Sequence, residues 1–165
     1  MAQITFKGNP ATTSGNLPNV GTTMKEFKLV KSDLSELTLS QYAGKNKILN
    51  IFPSIDTGVC ATSVRKFNQE AANIPNTVVI NISADLPFAQ KRFCGAEGIN
   101  NVETASTFRS GFGKEYGLEL LDTPLAGLLS RCVIVLDKEN KVIHTEQVAD
   151  IVNEPNYQAA IQSVK

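Results

Sequence analysis

The chain carries no surplus of charge of either sign: sixteen lysine and arginine residues balance sixteen aspartate and glutamate residues. A general nucleic-acid binder carries a basic excess, so that class is excluded and no nucleic-acid partner is expected. No apolar run approaches the roughly 18 residues that a membrane-spanning helix needs, so no membrane partner is expected either. The opening residues, Met1-Ala2-Gln3-Ile4-Thr5-Phe6-Lys7-Gly8, hold no basic segment followed by an apolar stretch. No secretion signal is therefore read, and a cytoplasmic location is expected. Three cysteines are too few for a disulfide-built scaffold. A single histidine, His144, among widely spaced cysteines gives no zinc-finger spacing, so no metal or other cofactor is read from the pattern. Repeats, low-complexity tracts and linkers are also missing. What is present is ordinary for a globular chain, with 42% apolar residues before glycine is counted. At roughly 100–200 residues per domain, residues 1–165 are expected to form one domain with its own core. Unusual chemistry in such a chain is expected to be cysteine chemistry.

Hydrophobic patterning predicts the order of elements. Residues 4–14 read as two short strands around the turn Lys7-Gly8-Asn9-Pro10. Phe27 to Val30 and Glu36 to Leu39 read as a second pair, joined by a turn at Lys31-Ser32-Asp33, with a helical turn at Ser40 to Ala43. Lys47 to Phe52 is nearly continuous and apolar, like a strand covered on both faces, and Pro53 stops it. Cys60, Val64, Phe67, Ala71 and Ile74 share one face of a 3.6-residue period, which predicts a helix over 60–74. Thr77 to Ser83 is a second buried strand, and 87–94 a helix opened by Pro87 and broken by Gly95-Ala96-Glu97-Gly98. A strand at 101–106, a short helix at 108–116, the strand Cys132 to Leu136, a turn at 137–141, a returning strand at 142–148 and a helix at 155–164 complete the chain. A parallel β-α-β unit followed by an antiparallel hairpin and a last helix predicts an α/β, thioredoxin-like sandwich. Its central mixed sheet is flanked by helices and preceded by an N-terminal β-hairpin.

Cys60 falls in the first turn of its helix, where unpaired backbone N–H groups and the helix dipole favour an anion. The alternative is an inert core cysteine, since cysteine is among the most buried residue types. The loop before it, Pro53-Ser54-Ile55-Asp56-Thr57-Gly58-Val59-Cys60, contains Pro-x-x-x-Thr-x-x-Cys. Pro53 fixes the backbone at the strand end. Thr57 is placed to bring its hydroxyl beside the sulfur, to cap the helix, or to do both.

Three blocks carry a family resemblance over essentially the whole chain: Asn50 to Cys60 (NIFPSIDTGVC), Ser83 to Gln90 (SADLPFAQ) and Arg92 to Gly98 (RFCGAEG). With them the chain resembles the thiol peroxidases, a branch of the atypical two-cysteine peroxiredoxins. The resemblance implies a thioredoxin-like fold and reduction of hydroperoxides through cysteine, without metal, haem or flavin. It implies that Cys60 is the peroxidatic cysteine with Pro53 and Thr57 as its motif partners. It also implies that Cys94 is the resolving cysteine and Arg131 the active-site arginine, that thioredoxin is the reductant, and that the chain forms a homodimer.

Physical chemistry sets what such a site must contain. Moving a thiol pKa from about 8.5 to about 6 raises its ionised fraction at pH 7 only some thirty-fold, and nucleophilicity falls along with pKa. The larger contribution must come in the transition state, where charge builds on the departing oxygen and each fixed donor contributes about 3–4 kcal/mol. Arg131, the Thr57 hydroxyl and the N–H groups near Val59 and Cys60 are the candidates. Phe52, Phe88 and Phe93 are expected near the pocket, where they would suit alkyl or lipid hydroperoxides. A Cys60–Cys94 disulfide would close a loop of about 34 residues, worth roughly 4 kcal/mol in the chain-entropy model. It would require local unwinding around both residues. Cys132 is expected in the core and His144 in a structural or exposed position. Two rivals stay open. A disulfide oxidoreductase is disfavoured because residue 63 is Ser, leaving no Cys-x-x-Cys. A non-catalytic redox sensor, signalling through the Cys60–Cys94 disulfide, would stop after about one equivalent of peroxide.

Overall fold

The fold is described from a computed structural model, which covers residues 1–71 and 73–165. A seven-stranded mixed sheet runs in the order β4-β3-β7-β6-β5-β8-β9. Its strands are β3 (Lys28–Lys31), β4 (Glu36–Thr38), β5 (Asn46–Ile51), β6 (Thr77–Ser83), β7 (Glu103–Ser106), β8 (Cys132–Leu136) and β9 (Val142–Gln147). β5, β6 and β7 are parallel neighbours, whereas β8 and β9 return antiparallel beside β5. A separate hairpin, β1 (Gln3–Phe6) and β2 (Asn9–Thr12), precedes the sheet. Among the described residues four α-helices accompany these strands, α1 (Gly58–Glu70), α2 (Pro87–Glu97), α3 (Phe112–Glu115) and α4 (Tyr157–Ser163), with a 3-10 turn at Leu39–Tyr42.

Strand alternation divides the core. Ile48, Val79, Val133 and Val135 face α1 and α4, where they meet Phe67, Ala160 and Ile161. Leu49, Ile51, Ile80, Ile82, Cys132 and Ile134 point the other way, onto Phe27, Leu37 and Phe112. Burial on both faces explains why the central strands read as continuous apolar runs. Phe67 is fully buried and meets Tyr157 edge to face at 5.0 Å, locking α1 to α4. Truncating such a ring costs about 3–5 kcal/mol.

Several boundaries differ from expectation. The first turn is only Lys7-Gly8, both with positive φ (52° and 80°), so Asn9 and Pro10 lie inside β2. α1 ends at Glu70 rather than Ile74, and residue 72 of the expected helix lies outside the described residues. α2 continues through Gly95 and stops at Gly98, whose left-handed φ of 66° supplies the cap. One interior glycine costs a helix only about 1 kcal/mol, and the ends of α2 are tied down by contacts described below. The helix expected over 108–116 contracts to α3, and the last helix to α4.

Candidate active site

β5 and α1 meet at a loop that is built around a carboxylate. Pro53 has no N–H to continue the ladder. Beyond it, Asp85 accepts from the Ser54 hydroxyl (2.7 Å) and the Ile55 N–H (2.7 Å). Asp85 also accepts from the Ser83 hydroxyl at 2.6 Å, so one side chain joins the loop to the end of β6. Asp85 lies within the Ser83 to Gln90 block that carries the resemblance, but its role as an anchor leaves no local pattern in the sequence. From the loop the chain enters α1, with Thr57 at the cap position and Cys60 in the first turn. The Cys60 carbonyl accepts from the Ser63 hydroxyl at 2.8 Å, and Ser63 in turn accepts from Asn50 on β5 at 3.2 Å.

Arg131 stands immediately before β8. The antiparallel register pairs Cys132 with Ile51, which brings residue 131 beside the loop that follows β5. Its Nη2 donates to the Cys60 sulfur at 3.1 Å, and its Nε donates to the Ile151 carbonyl at 2.7 Å. Nη1 is buried and has no protein partner among the described residues. At 2% exposure Arg131 is an interior cation, and its fixed contacts leave the guanidinium little freedom. A cavity of about 280 Å³ opens here. It is lined by Pro53, Thr57, Gly58, Val59 and Arg131 from the motif and the start of β8, together with Phe6, Lys7, Leu125, Ile151 and Val152.

Three features depart from expectation. Cys60 itself is fully buried, in an apolar cluster with Phe52, Ile55, Val64 and Ile99, rather than open at the helix mouth. Thr57 donates its hydroxyl proton to the Ser54 carbonyl at 3.0 Å, and its side chain makes no cap bond. The turn places that carbonyl three residues back, within reach, so the proton is committed and the oxygen is left as an acceptor. The expected apolar wall is also wrong in its members. Phe88 is 64% exposed on α2, while Phe52 and Phe93 belong to the cluster under Cys60. The wall that exists comes from the hairpin and two late loops, whose convergence is tertiary and invisible to local patterning.

Cys94 is half-buried in α2 and packs against the same apolar cluster as Cys60. All three cysteines are free thiols. Burial pushes the Cys94 thiol above its ordinary range. Two exposed ion pairs tie α2 to α1 and to the loop that precedes α1. Arg92 meets Asp56 at 3.1 Å, and Arg65 grips Glu97 with bonds of 2.9 and 3.0 Å. Cys132 faces the core opposite Arg131, and burial pushes its thiol up to about 12. His144 is half-buried on β9. Among the described residues no group of His, Cys, Asp and Glu could hold a metal ion, and no helix is long and apolar enough to cross a membrane.

The family pattern named Redoxin matches residues 19–161. A thiol peroxidase from Corynebacterium glutamicum is 53% identical over 164 residues, covering 99% of each chain. Among solved structures, a peroxiredoxin-like protein from Aquifex aeolicus superposes with a TM-score of 0.93 at 38% identity, covering 99% of this chain and 96% of its own. A thiol peroxidase from Chromobacterium violaceum shares the fold, with a TM-score of 0.85 at 23% identity over 95% of this chain and 91% of its own. Together with a cysteine at the head of α1 and a buried arginine on its sulfur, these likenesses show that the chain belongs to the redoxin family, on its thiol peroxidase branch.

Proposed function

We propose that this chain is a thiol-dependent peroxidase that reduces hydroperoxides at Cys60, resolves the product with Cys94 and is recharged by thioredoxin. One observation carries the reading. The Arg131 guanidinium lies 3.1 Å from the Cys60 sulfur and keeps a second nitrogen without a protein partner, at the wall of a cavity.

Peroxide reduction requires the Cys60 sulfur in its nucleophilic thiolate form, its proton passing to solvent. The sulfur attacks the nearer oxygen of the hydroperoxide. The O–O bond breaks, and its electron pair leaves with the outer oxygen. That oxygen takes up a proton and departs as an alcohol, or as water when the substrate is hydrogen peroxide. Cys60 retains the other oxygen as a sulfenic acid. Arg131 stabilises both ends of this charge movement: one nitrogen holds the sulfur, and the other meets the departing oxygen. The free N–H groups of the first helical turn act in the same direction. Thr57, whose own proton is engaged, accepts the hydrogen of the hydroperoxide and orients it. Pro53 presents an apolar ring to the cavity and offers no competing donor. Apolar walls favour alkyl hydroperoxides over hydrogen peroxide.

Resolution follows when the Cys94 thiolate attacks the sulfenic sulfur. The S–S bond forms, the S–O bond breaks with its electron pair leaving on oxygen, and that hydroxide takes up a proton from solvent and departs as water. A disulfide needs Cα atoms within about 7 Å, and unwinding of the first turn of α1 and the C-terminal turns of α2 gives both residues the freedom to meet that geometry. The dithiol of thioredoxin then takes over the disulfide by exchange and is itself oxidised. In this reading the enzyme works as a cytoplasmic homodimer.

Peroxide turnover in a thioredoxin-coupled assay tests the scheme. Cys60→Ser is expected to abolish turnover, Cys94→Ser to stop after one equivalent of peroxide, and Cys132→Ser to behave nearly as wild type. Sustained turnover by Cys94→Ser with thioredoxin as the only reductant would refute the resolving role. Arrest of the wild type after one equivalent would favour a sensor over an enzyme.

A further inference from the structure

One side chain outside the motif residues, Asp150, ties together two segments that line the cavity. Asp150 accepts from the Thr5 hydroxyl (2.7 Å) and from the N–H groups of Lys7 (3.2 Å), Gly8 (3.0 Å) and Val152 (3.1 Å). Three of these donors belong to the N-terminal hairpin and one to the loop after β9. Phe6 and Lys7 on the hairpin, and Ile151 and Val152 on the loop, all line the cavity.

We propose that Asp150 is a positioning residue that fixes the spacing of the cavity walls and so selects hydroperoxides by their organic group. The inference rests on the peroxidase reading of Cys60 and Arg131. The turn explains why a carboxylate is needed. Lys7 and Gly8 both lie in the left-handed region, with φ of 52° and 80°, and their N–H groups converge as an anion-binding nest. A carboxylate seated there holds the hairpin tip against the loop. The same loop supplies the Ile151 carbonyl that receives Arg131 Nε at 2.7 Å, so the wall and the active-site cation share one support. The Thr5 hydroxyl foremost, with the Gly8 and Val152 amides, holds the Asp150 carboxyl down to about 2. The clamp therefore stays ionised at every pH at which a peroxidase is assayed.

Main-chain bonds dock the hairpin independently of this carboxylate. Thr5 N–H donates to Ala149 at 2.8 Å, and Ile151 N–H donates to Thr5 at 2.9 Å. Removing the charge is therefore expected to loosen the wall rather than detach it. A loosened wall loses its grip on an organic group, which hydrogen peroxide lacks, whereas any shift of Arg131 acts on both peroxides alike.

The test measures second-order oxidation of Cys60 by stopped flow, with cumene hydroperoxide and with hydrogen peroxide, in wild type, Asp150→Asn and Thr5→Val. Asparagine keeps the shape but turns an –NH2 toward a group of donors. Asp150→Asn is expected to lower the cumene-to-hydrogen-peroxide rate ratio about tenfold, the scale of losing a well-placed apolar contact. Thr5→Val, which removes one of the four donors, should move the ratio in the same direction by less. An unchanged or increased ratio in Asp150→Asn would overturn the proposal, including the case in which both rates fall equally. A wild type that reacts with neither peroxide would overturn the peroxidase reading, and this inference with it. A reactive wild type with an unaltered ratio in Asp150→Asn would sink only the inference.

Discussion

The surroundings of Cys60 and Cys94 are built on opposite principles. Cys60 is fully buried and is held by the interior: Arg131 on its sulfur, Ser63 on its carbonyl, and Asp85 beneath the loop that leads to it. Cys94 lies half-buried in a helix fastened by solvent-exposed ion pairs and by contact with the edge of an apolar cluster. Interior networks are rigid because breaking them strands polar groups away from water. Exposed pairs contribute little and are screened by salt. The contrast matches the two tasks proposed for the cysteines. Charge stabilisation during peroxide reduction demands donors that are already in place, whereas resolution demands a helix end that can let go.

The comparison breaks most visibly on the rigid side. Arg131→Met removes the cation that touches Cys60 and is expected to lower the rate of peroxide oxidation by about 10²–10³, the usual loss for one preorganised donor. Stopped-flow oxidation measures this directly. Disulfide formation from the sulfenic acid, followed separately, should change far less. Asp85→Asn comes next. It leaves the Ser54 and Ile55 donors poorly matched, at a cost of about 1–3 kcal/mol in stability, and should slow peroxide oxidation about tenfold through misplacement of the loop. Thermal unfolding and stopped flow together check it. A loss of stability with no loss of rate would show that the loop, once folded, needs no anchor.

Those two effects also mark where the chain could be read in advance. β6 and β8 were legible to the residue, because strands buried on both faces leave nearly continuous apolar runs. Apolar spacing located α1 but began it at Cys60, whereas the helix opens at Gly58, ahead of its first apolar position on that face. The continuation of α2 through Gly95 was not legible, because glycine weakens a helix without forbidding it, and what holds α2 together lies on another element. The site divides in the same way. Pro53, Thr57 and Cys60 are neighbours in sequence, whereas Arg131 was placed by resemblance, its contact with Cys60 depending on the β5–β8 register. Phe6, Leu125, Ile151 and Val152 were missed because a wall assembled from three distant segments leaves no periodic trace.

On the mobile side, pH supplies a finer probe. Burial raises the Cys94 thiol, so the folded helix prefers it protonated. A group whose folded pKa lies above its unfolded value adds stability that is fully present below the unfolded value and is lost as pH rises through the folded one. With a free thiol near 8.5, the hold on α2 therefore weakens as pH climbs past that range. Disulfide formation should accelerate with pH, by up to about tenfold per unit while the thiolate is scarce. Where the acceleration stops is informative. A plateau near the free-thiol value means that α2 unwinds before Cys94 ionises. A rise that continues beyond it means that the thiol ionises while still packed in the helix. Rapid-quench trapping of the disulfide between pH 6 and 10 separates the two orders.

The smallest effect is expected at the ion pair between Arg65 and Glu97, three residues beyond Cys94. Glu97→Gln keeps the side-chain length and removes the charge, so α2 should fray more readily. Since exposed pairs hold so little, disulfide formation should quicken by no more than about threefold. Peroxide oxidation should stay unchanged, because neither residue reaches the cavity. Raising the salt concentration should accelerate the wild type more than the variant, in which only the Arg92–Asp56 pair is left to screen. If salt accelerates both proteins equally, the pair is not what holds the end of α2. Packing of Phe93 and Cys94 against the cluster around Cys60 would then be the restraint to be overcome.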